Sequence, residues 1–398
     1  AGGFQINEHG ARAMAMAGAF TALANYPSTI FYNPAGLTQL QGTWFSGGVT
    51  LIKPSSTFRG PSPSITEYEL DDAMFTPINL YITHQITQDL YAGVSVNNQY
   101  GLGTTWDENW IGKYLAIETE IRTFFFNPTI AYNLTDNFSI GVGLQFAYGD
   151  VIIARKNSLS PFEGDAYVDL EGNGTAWGFT AGLHYKPIPE LALGLSFRSE
   201  TNFDFEGDAV AEAPTQLSTA VPTGSISAPL TTPANITFGV AVFPCSHLTL
   251  SFDFQYIGWS SYDKLEVTFN DIVDENNNPL VSSSIRDYDN TYILRLGTEY
   301  KLNNELDIRG GLLYDNNPVK DERLDPTLPD ADRLGLNIGL GYKISPNLFV
   351  DLAYMFLRFD EREIKNSVID YTSGSAKFNG VYNSVAHLLG LNFTYNLK

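Results

Sequence analysis

The sequence predicts an all-β protein: a 14-stranded antiparallel transmembrane β-barrel with a small, partly helical N-terminal plug (hatch) inside the lumen. Three observations carry the barrel. From Thr43 onward, segments of roughly ten residues alternate apolar with small or polar residues, the period-two signature of strands. The second face of these segments is mostly Gly, Ala, Ser, Thr and Asn, whereas a soluble sandwich would show Lys and Glu there. The apolar faces end in Tyr, Trp and Phe, as at the two interfaces of a bilayer crossed by strands.

Residues 1–42 form the predicted hatch and residues 43–398 the barrel. The hatch is rich in Ala and Gly, with a helical-looking Ala11–Ala24 followed by a loop-like Asn33-Pro34-Ala35-Gly36. Alternation is plain in the barrel. Phe138, Ile140, Val142, Leu144, Phe146 and Tyr148 share one face opposite Ser139, Gly141, Gly143, Gln145, Ala147 and Gly149. Leu334, Leu336, Ile338, Leu340 and Tyr342 stand opposite Gly335, Asn337, Gly339 and Gly341. The expected strands are 44–58, 75–87, 89–100, 120–134, 137–153, 167–187, 190–206, 233–244, 247–269, 287–302, 305–316, 332–344, 347–364 and 382–397. Their connections alternate between short turns such as Thr135-Asp136 and long loops such as 207–232, matching periplasmic turns and outer loops. The long loops carry many of the acidic residues.

Composition removes other classes. The net charge of −21 opposes nucleic-acid binding through a basic surface. A single cysteine, Cys245, leaves no disulfide framework and no Cys-rich metal site. No apolar run reaches the ~18 residues of a transmembrane helix. There is no basic segment followed by an apolar one, and the chain opens Ala1-Gly2-Gly3, which fits a mature product after signal-peptide removal. His9, His84, His184, His247 and His387 lie in no metal spacing and beside no nucleophile elbow, so neither an enzyme, a metal nor a cofactor is expected.

Three constellations carry chemistry. By alternation Arg198, Asp253, Arg295, Glu299, Asp307, Arg309, Arg333 and Asp351 point inward. They are either an ion-pair network holding the plug to the wall, the favoured reading because buried charges must be paired, or a carboxylate station on a transport path. Phe349, Ala353, Met355, Leu357 and Phe359 form an apolar inward strip, which lines a hydrophobic solute's path or packs against the N-terminal segment. The loop after the third strand holds Leu102, Trp106, Trp110, Ile111, Tyr114, Leu115 and Ile117. Exposed apolar loop residues suggest a capture groove, and a folded lid or lipid anchor is the alternative.

The start Gly3-Phe4-Gln5-Ile6-Asn7-Glu8, then Arg12–Gly18 and Asn33-Pro34-Ala35, resembles the hatch of the FadL family of outer-membrane long-chain fatty acid transporters. Tyr100-Gly101-Leu102 and Leu328-Pro329-Asp330-Ala331-Asp332-Arg333 fit the same family, so the resemblance spans nearly the whole chain. It implies a loop groove of low affinity, an inner apolar pocket that the N-terminus reaches, and a kink in the third strand that opens the wall sideways. Asn97, Asn98 and Gly101 mark the kink, and Phe4, Ile6, Phe349, Met355, Leu357 and Phe359 the pocket. Arg155 matches the basic residue that meets the ligand head group, with Lys320 and Arg323 as further candidates on a loop.

The expected function is passive uptake of hydrophobic small molecules, foremost long-chain fatty acids, across the outer membrane of a Gram-negative bacterium. Aromatic hydrocarbons or other uncharged compounds are the alternative ligands. A structural or adhesive outer-membrane protein is the alternative of a different class. The expected partners are the apolar ligand, outer-membrane lipid and lipopolysaccharide; no nucleic acid is expected, and the protein is expected to act as a monomer.

Overall fold

The chain closes on itself. In the computed structural model, which describes residues 2–160, 162, 164–214, 221–371 and 376–397, β1 (Thr43–Arg59) pairs with β14 (Gly380–Leu397) from Thr43↔Leu397 to Arg59↔Val381. Between them run β2 (Glu67–Glu69 and Ile78–Gln85), β3 (Leu90–Asn97 and Gly101–Thr105), β4 (Glu118–Thr135), β5 (Phe138–Ser158), β6 (Asp165–Ile188) and β7 (Leu191–Arg198 and Thr201–Glu212). They continue through β8 (Gly224–Thr232 and Asn235–Cys245), β9 (Leu248–Ile257 and Lys264–Val273), β10 (Pro279–Ile285 and Thr291–Lys301) and β11 (Leu306–Asp315). β12 (Arg333–Ser345) and β13 (Leu348–Phe359 and Arg362–Ile364) complete a closed antiparallel barrel of 14 strands. Closure leaves no sheet edge, the condition for strands to cross lipid.

The alternation read from the sequence sorts the two faces. Val142, Leu336 and Phe393 are each more than half exposed and point out, while Gly141, Asn337 and Asn392 point in and are buried. Such an exposed belt is stable only against hydrocarbon. Several strands run beyond the expected ends: β8 begins at Gly224, β9 reaches Val273 and β10 starts at Pro279. Above the belt, outward positions become Asp204, Glu206 and Asp208, so the apolar signal fades while backbone pairing continues to Ala209↔Gly224.

Residues 2–40 are almost all buried and bond inward-facing residues of the wall. Ala11 N–H donates to Asn392 Oδ1 at 2.9 Å, Asn337 Nδ2 to Met14 O at 2.6 Å, and Arg198 Nη2 to Phe31 O at 2.9 Å. These partners sit on β14, β12 and β7, far apart around the barrel. The helix is shorter than expected, Ala11–Ala15 only. The helix ends where Ala17 and Gly18 turn left-handed, with φ of 57° and 75°, and Gly18 N–H closes on Ala13 O at 2.8 Å; beyond that turn Asp253 Oδ2 accepts the N–H groups of Phe20 and Thr21 at 3.0 and 2.9 Å.

Asn33-Pro34-Ala35 starts a 3-10 turn, Pro34–Gln39. Asn33 Oδ1 accepts from Ala35 N–H at 3.1 Å, and its Nδ2 donates to Thr21 O and Leu183 O, both at 2.9 Å. Only glycine fits under this turn: a Cβ at Gly182 would stand 2.1 Å from Asn33 Oδ1, and one at Gly141 2.4 Å from Ala35 N.

Of the inward charges, Glu299, Asp307, Arg309, Arg333 and Asp351 form ion pairs, Arg198 and Asp253 bond backbone groups of the N-terminal segment, and Arg295 has no ion pair among the described residues. Arg12 meets Glu299 with two bonds of 2.9 Å, Arg309 Nε meets the same carboxylate at 2.6 Å, and Arg309 Nη1 meets Asp351 at 2.5 Å. Tyr26 donates to Asp351 at 2.6 Å. The N-terminal residues and the wall therefore share one buried chain of charges.

Candidate functional site

The site begins with the way the N-terminal peptide is held. Gly2 and Gly3 donate to Asp315 Oδ1 at 3.0 Å and Asp330 Oδ2 at 2.7 Å. Arg333 bridges both carboxylates, each at 3.3 Å. Asp332 accepts from Tyr314 OH at 2.7 Å and from Asn317 N–H at 2.9 Å, fixing the loop that carries Asp330. The Pro-Asp-Ala-Asp-Arg run is thus a clamp for residues 2–3.

From that clamp the peptide reaches the break in β3. Asn97 pairs with Phe125 and Gly101 with Arg122, so Asn98, Gln99 and Tyr100 stand against two residues of β4, a one-residue bulge. The freed backbone groups turn inward to the N-terminal peptide: Ile6 N–H donates to Gln99 O and Gly101 N–H to Phe4 O, both at 2.8 Å. Asn98 repairs the wall, donating to Thr123 O at 2.6 Å and accepting from Ile78 N–H at 2.8 Å.

Two adjoining apolar cavities meet at this peptide. The lower, about 450 Å³, is lined by Ile6, Tyr100, Leu357, Phe359 and Leu388 from within and by Phe75, Arg122 and Phe124 at the wall. Phe124 is 40% exposed on the lipid face, so this cavity reaches the wall at the β3 break. The upper, about 200 Å³, is lined by Phe4, Leu115, Val151, Phe205, Leu230 and Tyr262. Leu102, Ile121 and Leu328 border both. Phe4 is 5% exposed and packs edge-on against Tyr100, Trp259 and Tyr262 at 6.0, 4.9 and 5.6 Å between ring centres.

Arg155 points into the upper cavity, as its register on β5 requires. Among the described residues it has neither a hydrogen-bond acceptor nor an ion-pair partner. Arg286, the second arginine of this cavity, is paired with Asp325. Arg155 is therefore the cation left available to an anionic ligand there.

Other expected residues lie elsewhere. Trp106, Trp110 and Ile117 are buried rather than forming an exposed groove. Trp106 stacks on Trp110 at 4.3 Å, and each indole N–H donates to a backbone carbonyl, of Pro326 and Ala116, at 3.0 and 2.8 Å. Burying the rings while satisfying their N–H groups outweighs exposing them, so the loop is a lid. Ile111 stays exposed, while Leu102 and Leu115 reach the cavities. Phe349 lies at the far end of β13, stacked on Trp44 at 6.1 Å, outside both cavities; Met355 lines only a water-sized void of about 10 Å³. Lys320 and Arg323 also lie outside both cavities. Lys320 bonds Asp287 at 2.7 Å, and this bond holds that carboxyl below the usual range. Arg323 stands 4.0 Å from the same carboxylate.

An outer groove exists that shares only Tyr114 with the expected one. Tyr114, Lys156, Leu159, Phe162, Val221 and Tyr371 line an open hollow of about 470 Å³, with Phe162 61% exposed. Lys113 and Tyr114 bond Asp165 at 2.7 and 2.8 Å beside it; this hydrogen bond raises Lys113 above its ordinary range. Apart from Tyr114, the alternation did not reach these residues. Trp259 and Tyr262 were also missed; the one available signal is Gly258-Trp259-Ser260-Ser261, which breaks the pattern of a long strand.

The sequence matches the family described as Outer membrane protein transport protein (OMPP1/FadL/TodX) over residues 1–397. The chain belongs to this family. It is an outer-membrane protein of the Gram-negative type, and its relatives are transport proteins rather than enzymes. It is 24% identical over 426 residues to the long-chain fatty acid transport protein of Salmonella typhi, covering 99% of this chain and 94% of that one. It is 25% identical over 427 residues to outer membrane protein P1 of Haemophilus influenzae, covering 94% and 90%. Among solved structures, a Pseudomonas aeruginosa FadL homologue has a TM-score of 0.89 at 22% identity, covering all of both chains. The Pseudomonas putida toluene transporter TodX has a TM-score of 0.76 at 18% identity, covering 98% of this chain and 99% of that one. The family carries hydrophobic compounds across the outer membrane.

Proposed function

We propose that the protein takes up long-chain fatty acids passively, with residues 1–42 acting as a plug domain inside a barrel formed by residues 43–398. The observation that carries the choice of ligand is Arg155, a guanidinium without a protein acceptor among the described residues, in a mostly apolar cavity that Glu120, Glu171, Glu206 and the Arg286–Asp325 pair also border. Such a site suits a molecule with one anionic end and a long apolar remainder. Each buried CH₂ contributes about 0.8 kcal/mol, so a fatty acyl chain supplies its own driving force without ATP or a cofactor.

Capture begins at the outer hollow around Phe162, with Lys156 beside it. The ligand then enters the upper cavity, its carboxylate at Arg155. Movement of the N-terminal peptide at Phe4 and Ile6 opens the way to the lower cavity. Departure is sideways at the β3 break beside Phe124, into the outer leaflet. Support for the lateral step is that inward residues and the lipid-facing Phe124 line one cavity. The protein works as a monomer in contact with outer-membrane lipid and lipopolysaccharide.

The test is native mass spectrometry with lipid extraction on detergent-purified protein, with and without added oleate, and with toluene as competitor. Co-purified or added fatty acid, bound one to one and weakened by Arg155→Ala, is the expected result. Binding of toluene without fatty acid would transfer the protein to uncharged aromatic ligands. Binding of neither would leave a structural or adhesive role.

A further inference from the structure

The barrel wall is interrupted a second time, between β8 and β9. On its β7 side, β8 stays paired from Thr201↔Thr232 to Ala209↔Gly224. On its β9 side the ladder stops after Asn235↔Ile257 and resumes only at Ser227↔Thr268. Among the described residues no register pair joins 229–233 to 259–266. The sequence supplies the reason. Pro229 and Pro233 have no N–H to give. Across from them, β9 leaves the strand for a 3-10 turn, Trp259–Ser261.

The interruption lies where the upper cavity meets the wall. Pro229 is exposed on the outer surface and also lines that cavity, together with Ala228, Leu230, Leu265 and Val267. The edge is apolar, and Arg155 lines the same cavity. The lipid-facing belt ends just below it, at Ile236 on β8 and Tyr256 on β9. An unpaired backbone is costly inside hydrocarbon and tolerated at the interface, which fits that height. The β3 break serves the lower cavity and lies six strands away, so the two interruptions are distinct. Phe4 touches both, through Tyr100 on one side and Trp259 and Tyr262 on the other.

We propose that the β8–β9 interruption is a second lateral port, through which single-chain carboxylates held at the interface of the outer leaflet enter the upper cavity directly. The chain slides across Pro229 and Leu265 while the head group moves toward Arg155. This inference rests on the fatty acid reading above, and the experiment separates the two. In a Cys245→Ser background, Leu265→Cys is treated with a bulky lipophilic maleimide, and oleate uptake into cells lacking their own transporter is measured. Ala228→Cys repeats the test from the opposite strand. Val210→Cys, on the outer face of β7 and lining neither cavity, is the control.

The expected result is that oleate slows labelling at positions 265 and 228, and that the adducts reduce uptake severalfold while the adduct at 210 does not. No labelling at either position, or labelling that oleate leaves unchanged and that leaves uptake intact, overturns the port. Failure of the unlabelled Cys245→Ser protein to bind oleate overturns the fatty acid reading itself, and the port with it.

Discussion

Replacing Arg155 by Met separates ligand recognition from stability. Most buried arginines of this barrel hold a carboxylate, so their removal strands a charge. Arg155 holds none among the described residues, so Arg155→Met orphans no acceptor. Thermal stability is therefore expected to stay level or rise slightly. A hydrogen bond to a charged partner is worth ~1.5–3 kcal/mol. At about 1.4 kcal/mol per decade, oleate affinity should fall roughly 10- to 150-fold. The apolar contacts with Val151, Phe205 and Leu230 remain, so binding of an uncharged ligand such as toluene should not change. The assay is calorimetric titration in detergent with both ligands, beside a thermal unfolding curve. An oleate affinity within about threefold of the parent, or an equal loss for toluene, would refute the assignment of a carboxylate to Arg155.

Four further outcomes are expected. Glu299→Gln leaves Arg12 and Arg309 without their shared charge and should cost about 3–5 kcal/mol, read as a lower midpoint of heat-induced unfolding in detergent. Asp307→Asn, at a half-exposed carboxylate 3.3 Å from Arg309, should cost no more than ~1 kcal/mol in the same assay. Gly182→Val drives a side chain into Asn33 and Pro34 and should yield barrels whose N-terminal segment is cut by protease, whereas the parent resists. Gly101→Pro removes the N–H given to Phe4 O and should lower oleate uptake while the barrel still resists SDS at room temperature; unchanged uptake would count against the N-terminal peptide as a gate.

A fifth outcome concerns pH. The Lys320 bond depresses the Asp287 carboxyl in the folded state, so its contribution is complete above the unfolded value, near ~3.9, and is lost as pH falls through the lower folded value. Hydrogen-exchange protection in the turn Asp321–Arg323 should hold at neutral pH and drop only in that acid window. A drop near neutrality would exclude this pair as the tether.

The sequence by itself determined the barrel, because strand alternation and lipid contact are both local. Each residue from Phe138 to Gly149 declares its face through its neighbour two positions away, and closure follows from the count of such segments. The family resemblance, rather than the alternation, pointed to the β3 break at Asn97, Asn98 and Gly101 and to Arg155 as the cation for a ligand head group.

Tertiary structure decided the rest. Whether Trp106 and Trp110 face water or one another depends on carbonyls of Pro326 and Ala116, one of them two hundred residues away in the chain and supplied by another loop. The apparent helix Ala11–Ala24 ends early at a left-handed turn through Ala17 and Gly18, and Asp253, on a distant strand, holds the N–H groups of Phe20 and Thr21 that follow. Arg155 and Arg286 line one cavity and read alike in the sequence, yet only Arg286 has Asp325 within reach. Local periodicity fixes which way a side chain points; what it meets there is set by residues far along the chain, and that pairing decides whether a buried charge is structural or open to a ligand.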